Sequence, residues 1–248
     1  MIFFLIFPFI TNRFHQGFYD NSHSDLQVSM MGRTLEWTKL TPFRNPGKIL
    51  DVSCDLGSSS SYLSKQYPAA TITAVSLSSY QIERAKQLSS SENIRYYTKD
   101  VTQLPYNWNH KFDLIWSLES AEYFPNKTKF IQEAYRLLKP KGKLVIVTWC
   151  TKKPNPSRIT QIMLSTINYG MNTSAWTSRQ EYYQLLKKHN FRSMRDQIWT
   201  KNILPTINWY DLFRLILHNF VNFISNILLY IGYLTDNIEF VIMTATRI

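Results

Sequence analysis

A short loop of small residues is the first candidate for chemistry. It covers residues 53–61, between an apolar run that ends near Asp51 and a helix-patterned segment. Free amide groups at a helix N-terminus favour a bound carboxylate or phosphate, and Asp51 can accept hydrogen bonds from the loop or from a ligand's ammonium group. Glycine is expected where such a loop touches its ligand, but Ser53 and Asp55 stand at two of these positions and only Gly57 remains. The loop predicts a nucleotide-like cofactor site with two unusual residues.

Polar side chains also follow the next three apolar runs of the chain. Ser76 offers a hydroxyl where an acidic residue usually binds ribose. Asp100 supplies a carboxylate that can accept a hydrogen bond from an exocyclic amine. Glu119 and Glu122 follow the fourth run, in company with aromatic residues. The candidate site therefore extends over four loops.

The elements that must position these side chains alternate between short apolar runs and longer helix-patterned segments. The predicted strands cover residues 48–52, 71–75, 94–97, 112–117 and 143–148, and the predicted helices cover 59–66, 79–89 and 127–138. This alternation predicts an α/β fold, with a doubly wound, mostly parallel sheet and helices on both faces. Ligands of such sheets bind beyond the carboxyl ends of the strands, where the candidate side chains lie.

The pattern changes after Cys150. Residues 151–157 have the composition of a linker, residues 212–231 predict an amphipathic helix, and residues 238–246 predict one more strand. The helix carries one polar stripe at every fourth position, formed by Arg214, His218, Asn222 and Asn226. Such a helix can pack on the core, cover an apolar substrate pocket as a lid, or lie in a membrane interface, and the sequence leaves these three interpretations open.

Length and charge limit the classes of partner. A chain of 248 residues suits one domain with a sizeable core. The net charge of +11 suits an acidic partner, but the basic residues are scattered, which disfavours nucleic acid. The apolar residues 1–10 are too few to span a bilayer, and they predict either a segment that touches a membrane or substrate, or one packed on the core. Cys54 and Cys150 follow apolar runs, which predicts buried, reduced thiols and no metal site.

Four segments carry a resemblance to a known family. Residues 49–57, 100–105, 112–120 and 137–142 resemble, in order and spacing, the motifs of class I S-adenosylmethionine-dependent methyltransferases. Residues 15–20, 117–127, 146–150 and 240–247 look like the γ-tocopherol methyltransferase group, which includes plant alkaloid N-methyltransferases. Residues 80–85 are closer to sterol methyltransferases. The resemblance implies a Rossmann-like fold in three parts: an N-terminal apolar segment and lead-in helix (1–47), a cofactor-binding core (48–150), and lid helices with closing strands (151–248).

The resemblance also implies S-adenosylmethionine as the cofactor and assigns residues to it by position. The residues that would line its methionine part are Asp51, Ser53 and Gly57, those for the ribose are Ser76 and Leu77, those for the adenine are Asp100 and Val101, and Ser117 would lie near the sulfonium. Asp55 adds a negative charge near the expected position of the cofactor's carboxylate. Its side chain is expected either to face the cofactor or to turn away and cap the next helix through an amide near Ser58.

Methyl transfer to a phenolic ring needs an acceptor for the hydroxyl proton, because electron density must be loaded onto the ring. The candidates are Glu119, Glu122 and His15, while Tyr123 stands where the family usually has a histidine. Each of the three candidates has a structural alternative, because Glu119 can shape its loop, Glu122 can be solvated, and His15 can cap or pack.

The expected activity is methylation of the ring of a prenylated phenol of the tocopherol or prenylquinol type. The expected acceptor is an apolar small molecule, reached through peripheral membrane contact. The expected compartment is a plastid, with the protein encoded there, and the alternative compartment is the cytoplasm. Two other functions stay open: a catalytically decayed relative that binds a lipid or partner, and an amine N-methyltransferase or sterol methyltransferase.

Overall fold

The computed structural model describes residues 25–39, 46–204 and 220–248. Within these ranges the helices are α1 (Leu26–Thr38), α2 (Ser58–Gln66), α3 (Ser79–Leu88), α4 (Lys127–Leu137), α5 (Arg158–Met171), α6 (Arg179–Lys188), α7 (Thr200–Ile203) and α8 (Phe220–Leu234). The strands are β1 (Lys48–Val52), β2 (Thr71–Ser76), β3 (Ile94–Thr98), β4 (Phe112–Leu118), β5 (Leu138–Thr151), β6 (Phe191–Ile198) and β7 (Ile238–Arg247). Short 3₁₀ helices cover Tyr106–Trp108 and Ala121–Tyr123.

The strands form one sheet in the order β3-β2-β1-β4-β5-β7-β6. Strands β1 to β5 run parallel to one another, whereas β7 lies antiparallel between β5 and β6. Asp51 pairs with Ala74 of β2 on one side and with Trp116 of β4 on the other. The carboxyl ends of these strands therefore meet at one edge of the sheet, as the doubly wound pattern predicts.

Both faces of the sheet are covered, because successive residues of each strand point to opposite sides. Ile49 joins a core with α2, α5 and α8, while its neighbour Leu50 joins a core with α4 and α6, and both side chains are completely buried. Each such burial stabilises the fold by about 1.5–3 kcal/mol, which fixes where the strand ends lie. The predicted α/β fold class is confirmed.

Several elements differ from the sequence prediction. Strand β5 begins at Leu138 rather than at residue 143, because Leu138 pairs with Phe112 directly after α4 ends. Strand β6 was not predicted: it is an edge strand that pairs with β7 and with no other strand of the described residues, and most of its side chains are exposed. Helix α8 is described from Phe220 onward, so the first part of the predicted helix over 212–231 lies outside the described residues.

Both cysteines are free and buried, as predicted. Burial raises the pKa of Cys54 and of Cys150 well above the ordinary value for a thiol. Within the described part of the chain, no helix is both long enough and apolar enough to cross a membrane.

Candidate functional site

The loop between β1 and α2 has a backbone shape that normally calls for glycine. Gly57 has φ 85°, and Ser53 and Asp55 also adopt left-handed conformations, with φ 56° and 49°. A Cβ atom on Gly57 would lie 2.7 Å from the hydroxyl of Tyr96, so no side chain fits there. The loop thus keeps the conformation of a glycine-rich loop at the two positions that carry other residues.

Asp51 holds the start of α2 in place. Its side chain is buried and accepts hydrogen bonds from the hydroxyls of Ser59 at 2.6 Å and Ser60 at 2.5 Å. Charge-assisted bonds of this kind are the stronger ones in proteins. Asp51 therefore bonds to the loop, which is one of the two roles expected from the sequence.

Asp55 makes a contact with α3. Gly57 is the N-cap residue of α2 and has no side chain of its own to cap that helix. The Asp55 carboxylate accepts a hydrogen bond from the Gln81 side-chain amide of α3 at 2.5 Å. The structure therefore shows the Asp55 carboxylate bonded to α3, a contact that the sequence did not predict. The N-terminus of α2 keeps the amides that suit a carboxylate ligand.

The ends of β2 and β3 adjoin this loop. The amide of Lys99 donates to the carbonyl of Ser76 at 2.9 Å, which joins the two strand ends. Ser76 is buried and donates to Gln81 at 2.7 Å, whereas Leu77 exposes 72% of its surface. Asp100 accepts from the amide of Thr102 at 2.7 Å and from its hydroxyl at 2.8 Å.

Val101, which follows β3, is buried. The other predicted residues lie at the end of β4 and in the loop after it. The hydroxyls of Ser117 and Ser120 are 2.7 Å apart, within hydrogen-bond distance. Glu119 is buried with φ 46°, and its amide donates to the carbonyl of Val147 at 2.8 Å. This strained backbone holds the Glu119 side chain at the end of β4.

Glu122 lies on the 3₁₀ helix Ala121–Tyr123, which follows Glu119, and its side chain is buried. The hydroxyl of Thr148 donates to its carboxylate at 2.8 Å. Burial raises the pKa of Glu122 to about 7, and the negative charge of Glu119 adds to this rise, while hydrogen bonds and Lys127 oppose it. A carboxyl group with this pKa can take up and release a proton near neutral pH. The alternative of a solvated Glu122 is wrong, because the side chain is packed against β5.

Lys127 and Ser174 fasten this loop to the connection between α5 and α6. The ammonium group of Lys127 donates to the carbonyl of Phe124 at 2.8 Å and to the hydroxyl of Ser174 at 2.5 Å. The amide of Ser174 in turn donates to the carbonyl of Glu122 at 2.9 Å. Burial lowers the pKa of Lys127 to about 8. We call Lys127 and Ser174 the loop clamp.

Aromatic side chains lie on the side of this loop that faces α8. Trp149 and Trp176 stack with their ring centroids 6.1 Å apart, and Tyr233 of α8 is buried. Burial raises the pKa of Tyr233 well above its ordinary value, and the nearby charges of Glu119 and Glu122 contribute. Among the described residues, the two indole nitrogens and the Tyr233 hydroxyl have no hydrogen-bond partner. These three polar atoms are buried among aromatic side chains.

The structure thus brings together most of the predicted site residues at one edge of the sheet. His15 lies outside the described residues, so its role stays a prediction. Tyr123 lies close enough to Glu122, Glu119 and Asp55 for their negative charges to act on its hydroxyl group. Sequence reasoning missed Gln81 and the loop clamp. Gln81 carried a signal, since it belongs to the segment that resembles sterol methyltransferases, but Ser174 lies in no motif.

Comparisons with known proteins agree with this geometry. Residues 50–146 match the family described as "Methyltransferase domain". The chain is 31% identical over 212 residues to the chloroplastic tocopherol O-methyltransferase of Arabidopsis thaliana, and the matched region covers 77% of this chain and 60% of that protein. It is also 31% identical over 124 residues to the 2-methyl-6-phytyl-1,4-hydroquinone methyltransferase of Synechocystis sp., covering 50% of this chain and 38% of that protein. The chain spans less than two thirds of the length of either relative.

A solved structure shows the same fold. The geranyl diphosphate C-methyltransferase of Streptomyces coelicolor A3(2), in complex with Mg²⁺, geranyl diphosphate and S-adenosyl-L-homocysteine, superposes with a TM-score of 0.74 at 19% identity, covering 96% of this chain and 90% of that chain. At this identity the likeness concerns the fold alone. The chain therefore carries a methyltransferase domain on a class I S-adenosylmethionine-dependent methyltransferase fold and resembles the tocopherol methyltransferase group.

Proposed function

We propose that this protein is an S-adenosylmethionine-dependent methyltransferase that methylates the ring of a prenylated phenol. The observation that carries the proposal is the left-handed backbone of Ser53, Asp55 and Gly57, which keeps the shape of a cofactor loop. The buried carboxylates of Glu119 and Glu122 lie at the same edge of the sheet. The names of the two relatives, one acting on tocopherol and one on a phytylated hydroquinone, support this substrate class.

The residues present fit the cofactor. The amides at the N-terminus of α2 suit its carboxylate, because the N-cap residue Gly57 has no side chain to bond them. Ser76 and Leu77 adjoin the proposed ribose position, and Asp100 with Val101 adjoins the proposed adenine position. Ser53 and Ser117 complete the lining. When bound, S-adenosylmethionine supplies a methyl group on a sulfonium that already carries its leaving group.

The protein contributes mainly position and proton transfer. Holding the acceptor ring in line with the methyl group at contact distance is worth up to about 7–11 kcal/mol in favourable cases. Glu122, with its pKa of about 7, accepts the proton of the ring hydroxyl, and Glu119 polarises the same hydroxyl. Trp149, Trp176 and Tyr233 exclude water from the acceptor.

The acceptor is identified with a panel of compounds. Purified protein is incubated with S-adenosylmethionine labelled in its methyl group, together with tocopherols, prenylated hydroquinones, a sterol and a secondary amine. Labelled product from a tocopherol or prenylated hydroquinone is expected, with at least a tenfold loss in Glu122→Gln. Product from the sterol or the amine alone would contradict the substrate class, and no product from any compound would favour the decayed relative.

We also infer that the protein works at a plastid membrane, where prenylated phenols dissolve. The Arabidopsis relative is chloroplastic by name. Helix α5 turns an apolar row outward, in which Ile159, Ile162 and Tyr169 expose 81%, 70% and 81% of their surfaces. The exposed Arg158 and Lys153 adjoin this row, and a positive rim suits anionic lipid.

A further inference from the structure

We propose that helices α5 and α8 together form the surface through which the protein enters a lipid bilayer. The inference rests on the proposed function, whose acceptor dissolves in lipid, and deepens it by naming the face of the molecule that meets the membrane. It also gives α8 one of the three roles that the sequence left open for it.

Helix α8 buries polar residues and exposes large apolar ones. Leu229 and Tyr233 anchor it to the core, but Asn222 and Ser225 are buried as well, with 5% and 0% of their surfaces exposed. The exposed apolar residues of α8 are Phe220 at 62%, Val221 at 38%, Ile231 at 39% and Leu234 at 60%. No Lys, Arg, Asp or Glu occurs in residues 220–234. Because a helix that faces water normally turns its polar side outward, this arrangement indicates an apolar environment outside α8.

Close packing against α5 explains why polar residues of α8 point inward. The Ser225 hydroxyl donates to the carbonyl of Thr166 on α5 at 3.1 Å. A Cβ atom on Gly170 of α5 would overlap the Ser225 side chain. A Cβ atom on Gly232 of α8 would lie 3.3 Å from the Cε atom of Met163 on α5. Since the later residue of α8 meets the earlier residue of α5, the helices run antiparallel, and small residues let their backbones approach closely.

The outward sides of the two helices form one surface. Leu164 of α5 and Leu229 of α8 belong to the same core on one face of the sheet. The opposite sides of both helices therefore point away from that core in the same direction. On α5 the outward residues are Ile159, Ile162 and Tyr169. They lie beside the exposed apolar residues of α8.

Charge favours lipid over a second copy of the chain as the occupant of this surface. The exposed Lys153 and Arg158 lie at the N-terminal end of α5. This end adjoins the C-terminal end of α8, because Lys152 forms an ion pair with Asp236. Anionic headgroups attract such cations while apolar side chains enter the acyl boundary. A dimer through this surface would instead bring together two molecules that each carry a net charge of +11.

A fluorescent reporter tests which face meets the bilayer. Ile231→Cys on α8 and Gln184→Cys on α6 are each labelled with NBD, and the two native cysteines are buried, which keeps the label off them. Gln184 is the matched control, because it is exposed on a helix that packs on the other face of the sheet.

The labelled proteins are floated with vesicles of phosphatidylcholine and phosphatidylglycerol, with and without a doxyl-labelled phosphatidylcholine that quenches NBD. At residue 231 we expect a blue shift and at least about twofold quenching, since interfacial helices lie about 5–10 Å into the headgroup boundary. At residue 184 we expect neither change. Binding without quenching at residue 231, equal quenching at residue 184, or no vesicle binding would overturn the inference.

Activity separates this inference from the proposed function. Ile231→Asp should methylate a prenylated hydroquinone several-fold more slowly than the native protein when the acceptor is embedded in vesicles. It should be as fast as the native protein when the acceptor is dispersed in detergent, which also shows that the variant folds. Gln184→Glu makes the same change in charge and should stay close to the native protein in both. An equal loss by Ile231→Asp in vesicles and in detergent would overturn the inference alone, whereas no methylation by the native protein in either would overturn the proposed function.

Discussion

At the residue scale, the site depends on side chains whose surroundings change their chemistry. Glu122 is an example, since a glutamate is ordinarily ionised at neutral pH but here is buried next to Glu119. Sequence reasoning identified Glu122 as a candidate from its place after β4. It did not identify the raised pKa, because that shift comes from burial in the folded chain, to which the charge of Glu119 adds.

The raised pKa makes stability depend on pH. Between pH 4.5 and about 7 the folded chain retains the Glu122 proton that the unfolded chain loses, so the free energy of unfolding falls as the pH rises. We expect Glu122→Gln to remove this contribution, stabilising the protein at pH 8.5 by up to about 3 kcal/mol relative to the native chain and having little effect at pH 4.5. Urea unfolding at the two pH values measures it.

Glu83→Gln, which changes an exposed carboxyl group, serves as the control and should show the same difference at both pH values. An equal effect of Glu122→Gln at pH 4.5 and pH 8.5 would contradict the assigned pKa.

At the element scale, loops after parallel strands carry the site, and the strand order brings them together. The alternation of apolar runs predicted β1 to β5. Of these, β1, β2, β4 and β5 are largely buried and read as nearly continuous apolar sequence, whereas β3 is a more exposed edge strand. The alternation did not predict β6, whose polar edge sequence pairs, among the described strands, with β7. The direction of Asp55 was also beyond prediction, because its partner Gln81 lies on another helix.

The loop clamp is the element-scale contact that admits a direct test. Ser174→Ala removes the hydroxyl that joins Lys127 to the loop after β4, and the part-buried ammonium loses one of its partners. We expect a destabilisation of about 1–3 kcal/mol and faster amide hydrogen exchange over residues 121–124. Ser165→Ala on the exposed side of α5 is the matched control and should change neither quantity. Unchanged exchange in Ser174→Ala would show that the clamp does not order the loop.

At the scale of the whole molecule, the fold class and the cofactor edge of the sheet were predictable from sequence. The division into parts at residues 47 and 150 stays a prediction. The expected membrane contact depends on two features of the molecule: its overall charge of +11 and the row of exposed apolar side chains on α5. These two features act together, since charge attracts the protein to anionic lipid and apolar side chains insert.

Flotation with lipid vesicles measures this contact. We expect binding to vesicles of phosphatidylcholine with phosphatidylglycerol, weaker binding in high salt, and a loss of several-fold in Ile162→Asp. Leu88→Asp is the control, because it changes an exposed apolar residue on α3 and adds the same negative charge. We expect it to lose only the binding that this change in charge removes. Equal losses in the two variants would argue against a specific role of α5.

The central claim, that the β1–α2 loop still binds a methyl donor, is tested most directly by titrating S-adenosylmethionine into the native protein in a calorimeter, beside Asp55→Gly. The account predicts saturable binding at one site by the native chain and no tighter binding by the variant. No heat from the native chain, together with tight binding by Asp55→Gly, would contradict it and would show that Asp55 closes the site.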